Sequence, residues 1–174
     1  MKAAALFLLS FLIASQLLAQ NRSSWCDYVP RDLRQVMEHA HLGDSGDITM
    51  SGGQFPSRVA VRYFGANRPA APALKAFLAA YFRSKGRAGT DTLFHRELQF
   101  AQAGDSSYWF LIQERSFAAF QSEVQPGDTL SVFLLWLGSF AVPNRPRGYA
   151  FAVNEFTSAK SASQWTQELA GCLK

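Results

Sequence analysis

What the chain has little of narrows its chemistry first. It holds two cysteines and three histidines in 174 residues, and only 17% of those residues are charged. Two cysteines without CxxC spacing give no support to a thiol redox pair. His39 and His41 stand two apart, which points them to different sides of a helix, whereas zinc sites on helices use wider spacings. Both histidines are therefore expected to be solvated, with no metal and no cofactor. A formal charge of +4, one unit of it from Lys2, is too small and too scattered for a nucleic-acid-binding stripe.

A catalytic signature is missing as well. The stretch "LGDSGDITMSGG", Leu42 to Gly53, contains the "GDSG" that surrounds the nucleophile of chymotrypsin-like proteases. In that family the motif continues with glycine and lies far toward the C-terminus; here it continues with Asp47 and comes early. His39 and His41 lie immediately before it, with no room to fold back as a base, and His95 falls on a strand face expected to be solvated. Gly, Asp and Ser are turn formers, so Ser45 is read as part of a turn.

The chain opens "MKAAALFLLSFLIASQLLAQ": one lysine, an apolar run to about Ala14, and a more polar stretch ending in Ala19. This is the form of a signal peptide over residues 1–19, with an apolar run too short to span a bilayer of about 30 Å comfortably. Residues 20–174 then make one globular domain, exported to the periplasm or beyond, with no stable membrane span after cleavage. In that compartment an isolated cysteine pair is expected to bond, so Cys26 and Cys172 should tie the two ends of the domain together.

With 48% hydrophobic residues, including 15 phenylalanines and four tryptophans, the domain has the material for a β-rich core. Leu33, Val36, Met37 and Ala40 lie at helical spacing after Pro30, which suits a first turn, and Gly43 would end that helix. Val59, Val61 and Tyr63 alternate as in a strand over Arg58 to Gly65. Leu74, Phe77, Leu78, Tyr81 and Phe82 form a helical stripe wide enough to cover a sheet. Two strand-like runs flank "AGDSS", and a turn at Gly104 and Asp105 sets Arg96 opposite Ile112 and diagonal to Glu114, close enough to pair with it. His95, Glu97 and Gln99 fall on the other, wet face. "SFAAFQSEV" reads as a short helix or turn.

"TLSVFLLWLG" is apolar on both faces and should be a central, covered strand, with the Leu74–Phe82 helix as its cover. "YAFAVNEF" puts Tyr149, Phe151, Val153 and Glu155 on one face and small residues on the other. "SASQWTQELAGCLK" closes as an amphipathic helix. The expected fold is α+β: a small five-stranded antiparallel curled sheet or partly open barrel of OB or SH3-like kind, with an inserted helix and helical termini.

From "YWFLIQE" through "PGD", Gly138 and "NEF", the second half resembles a pattern of exported bacterial small β-barrel proteins. The match runs over about Phe94 to Phe156; it implies no activity, and it draws attention to Glu114, Asn154 and Glu155. Three residues are candidates for ligand binding. Trp109, in the consecutive aromatics Tyr108 to Phe110, falls on the polar face near Gln99 and could stack on a ligand. Glu114 and Glu155 end apolar strands, where each could satisfy an arginine or join a paired-carboxylate site. The expected function is a non-enzymatic binding module of the bacterial envelope, its partner a small ligand or an envelope protein and not a nucleic acid. A small carboxylate-dependent hydrolase and an envelope scaffold protein are the alternatives.

Overall fold

The computed structural model describes residues 23–42, 48–51, 55–102, 107–142, 147–170 and 172. The leader expected over 1–19, Gly43, Ser45 with its "GDSG" turn, the hairpin turn at Gly104 and Asp105, and positions 143–146 lie outside them. The described strands and α-helices are β1 (Val29–Pro30), α1 (Leu33–Leu42), β2 (Ile48–Met50), β3 (Ser57–Pro69), α2 (Pro72–Ser84), β4 (Arg96–Ala101), β5 (Tyr108–Ile112), α3 (Glu114–Glu123), β6 (Thr129–Phe140), β7 (Gly148–Thr157) and α4 (Ala162–Ala170), with short 3-10 turns at Ser23–Asp27 and Thr90–Leu93. The class is α+β, as expected, but the sheet has seven strands rather than five. The two additional strands are two and three residues long, too short to leave a period-2 pattern. Pro30, expected in the first helical turn, lies in β1. The helix that follows starts instead on a reciprocal cap: Asp32 accepts from the Gln35 backbone N–H at 2.7 Å, and the Gln35 side chain accepts from the Asp32 N–H at 3.1 Å.

Five of the strands form a ring. β3, β4, β5, β7 and β6 pair in that order, and β6 pairs back onto β3. Directions cannot alternate all the way round an odd number of strands, so closure forces at least one parallel pair. That pair is β5–β7, which corrects the all-antiparallel expectation; β1 also runs parallel to β3. The hairpin register is the expected one, with Arg96 opposite Ile112, Leu98 opposite Phe110 and Gln99 opposite Trp109.

The interior of the ring is filled by alternate residues such as Val61, Leu98, Phe110, Val132 and Phe151, with Val36 of α1 and Phe120 of α3 in the same cluster. The outside of β6 is also apolar, and two different elements cover it. α2 packs Leu74, Phe77 and Leu78 over Leu137 and over Ala150 and Ala152 of β7, whose small side chains admit the helix closely. Phe133 is fully buried under Trp25, Tyr28 and Trp165, with ring centroids 4.8 to 5.3 Å away. Of the three register shifts between the ring strands, two bear on the sites described below. β3 bends at Gly65, where φ is +87° and an added Cβ would lie 2.8 Å from Pro126, and its pairing with β4 shifts there. In β7, Phe133 faces Glu155 while Leu134 faces Val153, so Asn154 is an extra residue in that strand.

Cys26 and Cys172 are joined, with Cα atoms 5.2 Å apart at a sequence separation of 146. The bond anchors Trp25 and Trp165, the two indoles over Phe133. Urea unfolding should show the Cys26→Ser, Cys172→Ser double variant less stable by about 2–5 kcal/mol, with most of the loss reproduced by reducing agent on the wild type.

Candidate functional site

The three residues proposed from sequence go to three places. Trp109 lines a cavity of about 370 Å3, Glu155 lines a separate groove, and Glu114 stands exposed in the first turn of α3. Glu114 does not end a strand, because β5 stops at Ile112 and the chain turns into the helix at Gln113. Its carboxylate suits that position beside the positive end of the helix dipole. The expected pairing with Arg96 is not formed. Arg96 donates instead to Asn67 Oδ1 at 3.2 Å and lies over the Phe117 ring at 5.0 Å.

The Trp109 cavity follows from the ring's one parallel seam. β5 and β7 are laddered only at Leu111 with Ala152 and Ile112 with Val153. Upstream of these pairs Tyr108, Trp109 and Phe110 on one strand and Gly148, Tyr149 and Phe151 on the other line the cavity between them. Phe110 and Phe151 still touch edge to face at 5.5 Å. The open end of the seam is therefore an aromatic-walled gap.

Charge is concentrated at its rim. Arg68, at the end of β3, lays its guanidinium over the Trp109 ring, 4.0 Å from the centroid. Its Nε donates to Glu97 Oε2 at 3.0 Å. Glu97 was expected on a wet face; it is only 4% exposed, because β3 continues past the Gly65 bend and brings Arg68 beside it. A buried carboxylate through Nε and an indole face beneath fix the guanidinium plane, while its side chain remains 46% exposed. Beside it sits the start of α2, where Ala71, Ala73 and Leu74 line the same cavity. That helix has no side-chain cap and no acidic residue in its first turn, and Pro72 occupies one of its first positions. Its initial N–H groups thus leave a positive partial charge at the end of the helix that lines the cavity. Tyr149, on the opposite wall, shares its hydroxyl with His41 Nδ1 at 2.6 Å.

Sequence reasoning found Trp109 but missed Arg68 and Glu97. Strand alternation does put Glu97 on the Trp109 face, which was a usable signal for a carboxylate beside an indole. Its partner was illegible, because β3 was expected to end at Gly65.

Glu155 also departs from its expected place. The extra residue Asn154 flips the strand phase, so Glu155 turns to the outer face with Phe133 and Phe156 takes the inner position. Burial raises the Glu155 carboxyl above its usual range; the Phe156 N–H, which donates to Oε1 at 3.0 Å, and Arg115 oppose this, and Glu123 adds to it. Asn154 itself joins two elements: it accepts from Gln113 Nε2 at 3.0 Å and donates to the Tyr28 hydroxyl at 3.1 Å. Burial pushes the Tyr28 phenol up to about 12 despite that hydrogen bond.

Among the described residues no group of three or more His, Cys, Asp and Glu side chains could hold a metal ion, and no helix is long and apolar enough to cross a membrane. No protein-family model matches the chain, and no curated protein matches it.

His39, expected in solvent, is half-buried and stacked on Phe55 at 3.6 Å, with Arg31 over that ring at 4.1 Å. Burial, and then the Arg31 charge, lower the His39 pKa. A histidine depressed in the folded state contributes stability above its unfolded pKa and loses it as pH falls. Stability should therefore decline as pH drops below about 6.5, and denaturant unfolding across that range should show a shallower decline in His39→Phe, which keeps the stacking and removes the titration.

Proposed function

We propose that the chain is an exported, non-enzymatic binding module of the bacterial envelope, built on an OB-type ring, whose ligand is a small acid with an apolar ring. The OB assignment rests on strand order. Counted along the ring-forming strands, the neighbours run first, second, third, fifth, fourth and back to first, with α3 between the third and fourth. OB-type rings bind ligands on the face of strands two and three and at the connections one–two and four–five. The Trp109 cavity is lined from those regions: β4 and β5, the start of α2, and Val142 and Gly148 beside the β6–β7 connection. Export is supported by the leader-like N-terminus and by the Cys26–Cys172 bond, which suits an oxidising compartment.

The observation that carries the ligand class is Arg68 held flat between Glu97 and Trp109. Its Nε is used, and neither Nη has a hydrogen-bond partner among the described residues. A planar fork with two free donors suits a carboxylate or phosphate, and the uncapped head of α2 favours the same charge. Tyr108, Phe110, Tyr149 and Phe151 would take the apolar body. The hydrolase alternative has less support, since Glu114 does not line the groove that holds Glu155. The scaffold alternative would draw on exposed Val29, Ile48, Phe64 and Leu93, which belong to four different segments.

Phenyl phosphate, with benzyl alcohol as the neutral control, tests this reading through the four tryptophan indole N–H resonances. Phenyl phosphate should shift Trp109 saturably and benzyl alcohol should not. Arg68→Met should weaken binding at least tenfold, about 1.4 kcal/mol, with thermal unfolding confirming that the variant is folded. Equal shifts by both compounds, or unchanged binding by folded Arg68→Met, would refute it.

A further inference from the structure

We infer that the groove between α3, β7 and the disulfide-tied chain ends is a second binding site, independent of the Trp109 cavity, that takes an organic ammonium cation. The groove has a volume of about 670 Å3 and is lined by Trp25 and Trp165, by Glu123, Asn154 and Glu155, and by Arg115. Its aromatic wall is a corner. The Trp25 and Trp165 rings meet at 88° with centroids 5.2 Å apart, and both remain half-exposed while they cover Phe133. The negative π-face of an indole at such a corner attracts a cation too large and too weakly hydrated to prefer water.

The carboxylates supply the charge. Glu155 uses Oε1 on the Phe156 N–H, and Glu123 uses Oε2 on the Ser158 hydroxyl at 2.6 Å. Neither of the remaining oxygens has a hydrogen-bond partner among the described residues. Against these two negative charges the lining sets, among the described residues, only Arg115, so these groups give the groove a net negative charge on a chain whose formal charge is +4. The upward displacement of the Glu155 carboxyl by burial and by Glu123 is the strain that a bound cation would relieve.

The wall exists because of the covalent tie. Trp25 precedes Cys26, and Trp165 lies on the helix that leads to Cys172. Neither indole belongs to the ring of strands, and the bond between the two ends sets them side by side. Reduction should thus dismantle this site and leave the Trp109 cavity in place.

The full chain, titrated with tetramethylammonium chloride, tests the inference on the same four indole resonances, with sodium chloride at equal ionic strength and tert-butanol as the neutral compound of similar shape. Tetramethylammonium should shift Trp25 and Trp165 saturably and leave Trp109 unmoved, and neither control should do so. Glu155→Gln should weaken this binding at least fivefold, and reducing agent should abolish it. Arg68→Met should leave it unchanged, which separates its failure from that of the acid-binding reading. Shifts as large with tert-butanol, no saturation beyond the sodium chloride response, or movement of Trp109 instead would overturn the inference in the wild type, whatever the folding of the variants.

Discussion

Closing five strands into a ring imposes a like-directed pair, and the rest of this molecule is arranged around where that pair falls. Antiparallel neighbours here are joined over long registers, as between β6 and β7 or β3 and β6, whereas β5 and β7 share two residue pairs. Strands that part after two pairs leave side chains of both walls facing a gap. The aromatic residues Tyr108, Phe110, Tyr149 and Phe151 make that gap apolar without filling it. The Trp109 cavity is thus a consequence of topology rather than of a loop folded over the surface.

The same economy governs the outside of β6. A strand apolar on both faces must be covered on both, and no single helix spans its 12 residues. α2 covers the part near Leu137, and the joined chain ends cover Phe133. A recess lies at the margin of each cover: the seam cavity at the head of α2, and the Glu155 groove beside Trp25 and Trp165. Their characters differ because their rims differ. An arginine and an uncapped helix start frame one, and two carboxylates frame the other. The bend at Gly65 and the extra residue Asn154 place those charges, the first by letting β3 reach Glu97, the second by turning Glu155 outward.

Much of the fold was legible. The alternation of Leu98 and Phe100 against Phe110 and Ile112 set the hairpin register, and the stripe from Leu74 to Phe82 marked the covering helix. The small residues Ala150 and Ala152 correctly signalled a close approach, and the two cysteines are bonded as expected. The errors were local in cause. Period-2 reading carried Glu155 inward because it cannot register an inserted residue. It ended β3 at Gly65 because glycine reads as a stop when it is a bend, and it left Glu97 in water because its partner lay beyond that stop. Glu114 was taken for the end of a strand when it begins a helix.

By itself, then, the order of residues determined which segments are apolar on which face, which strands pair as a hairpin and which helix must lie over them. These are short-range patterns, repeating every two or every three to four positions, and each is written within a dozen residues. Only the tertiary structure decided that five strands close into a ring, that closure puts the ring's one parallel seam beside Trp109, and that Arg68 meets Glu97 while Trp25 meets Trp165. Those contacts join positions up to 140 residues apart. They depend on the sum of several bends and registers, which no local pattern contains.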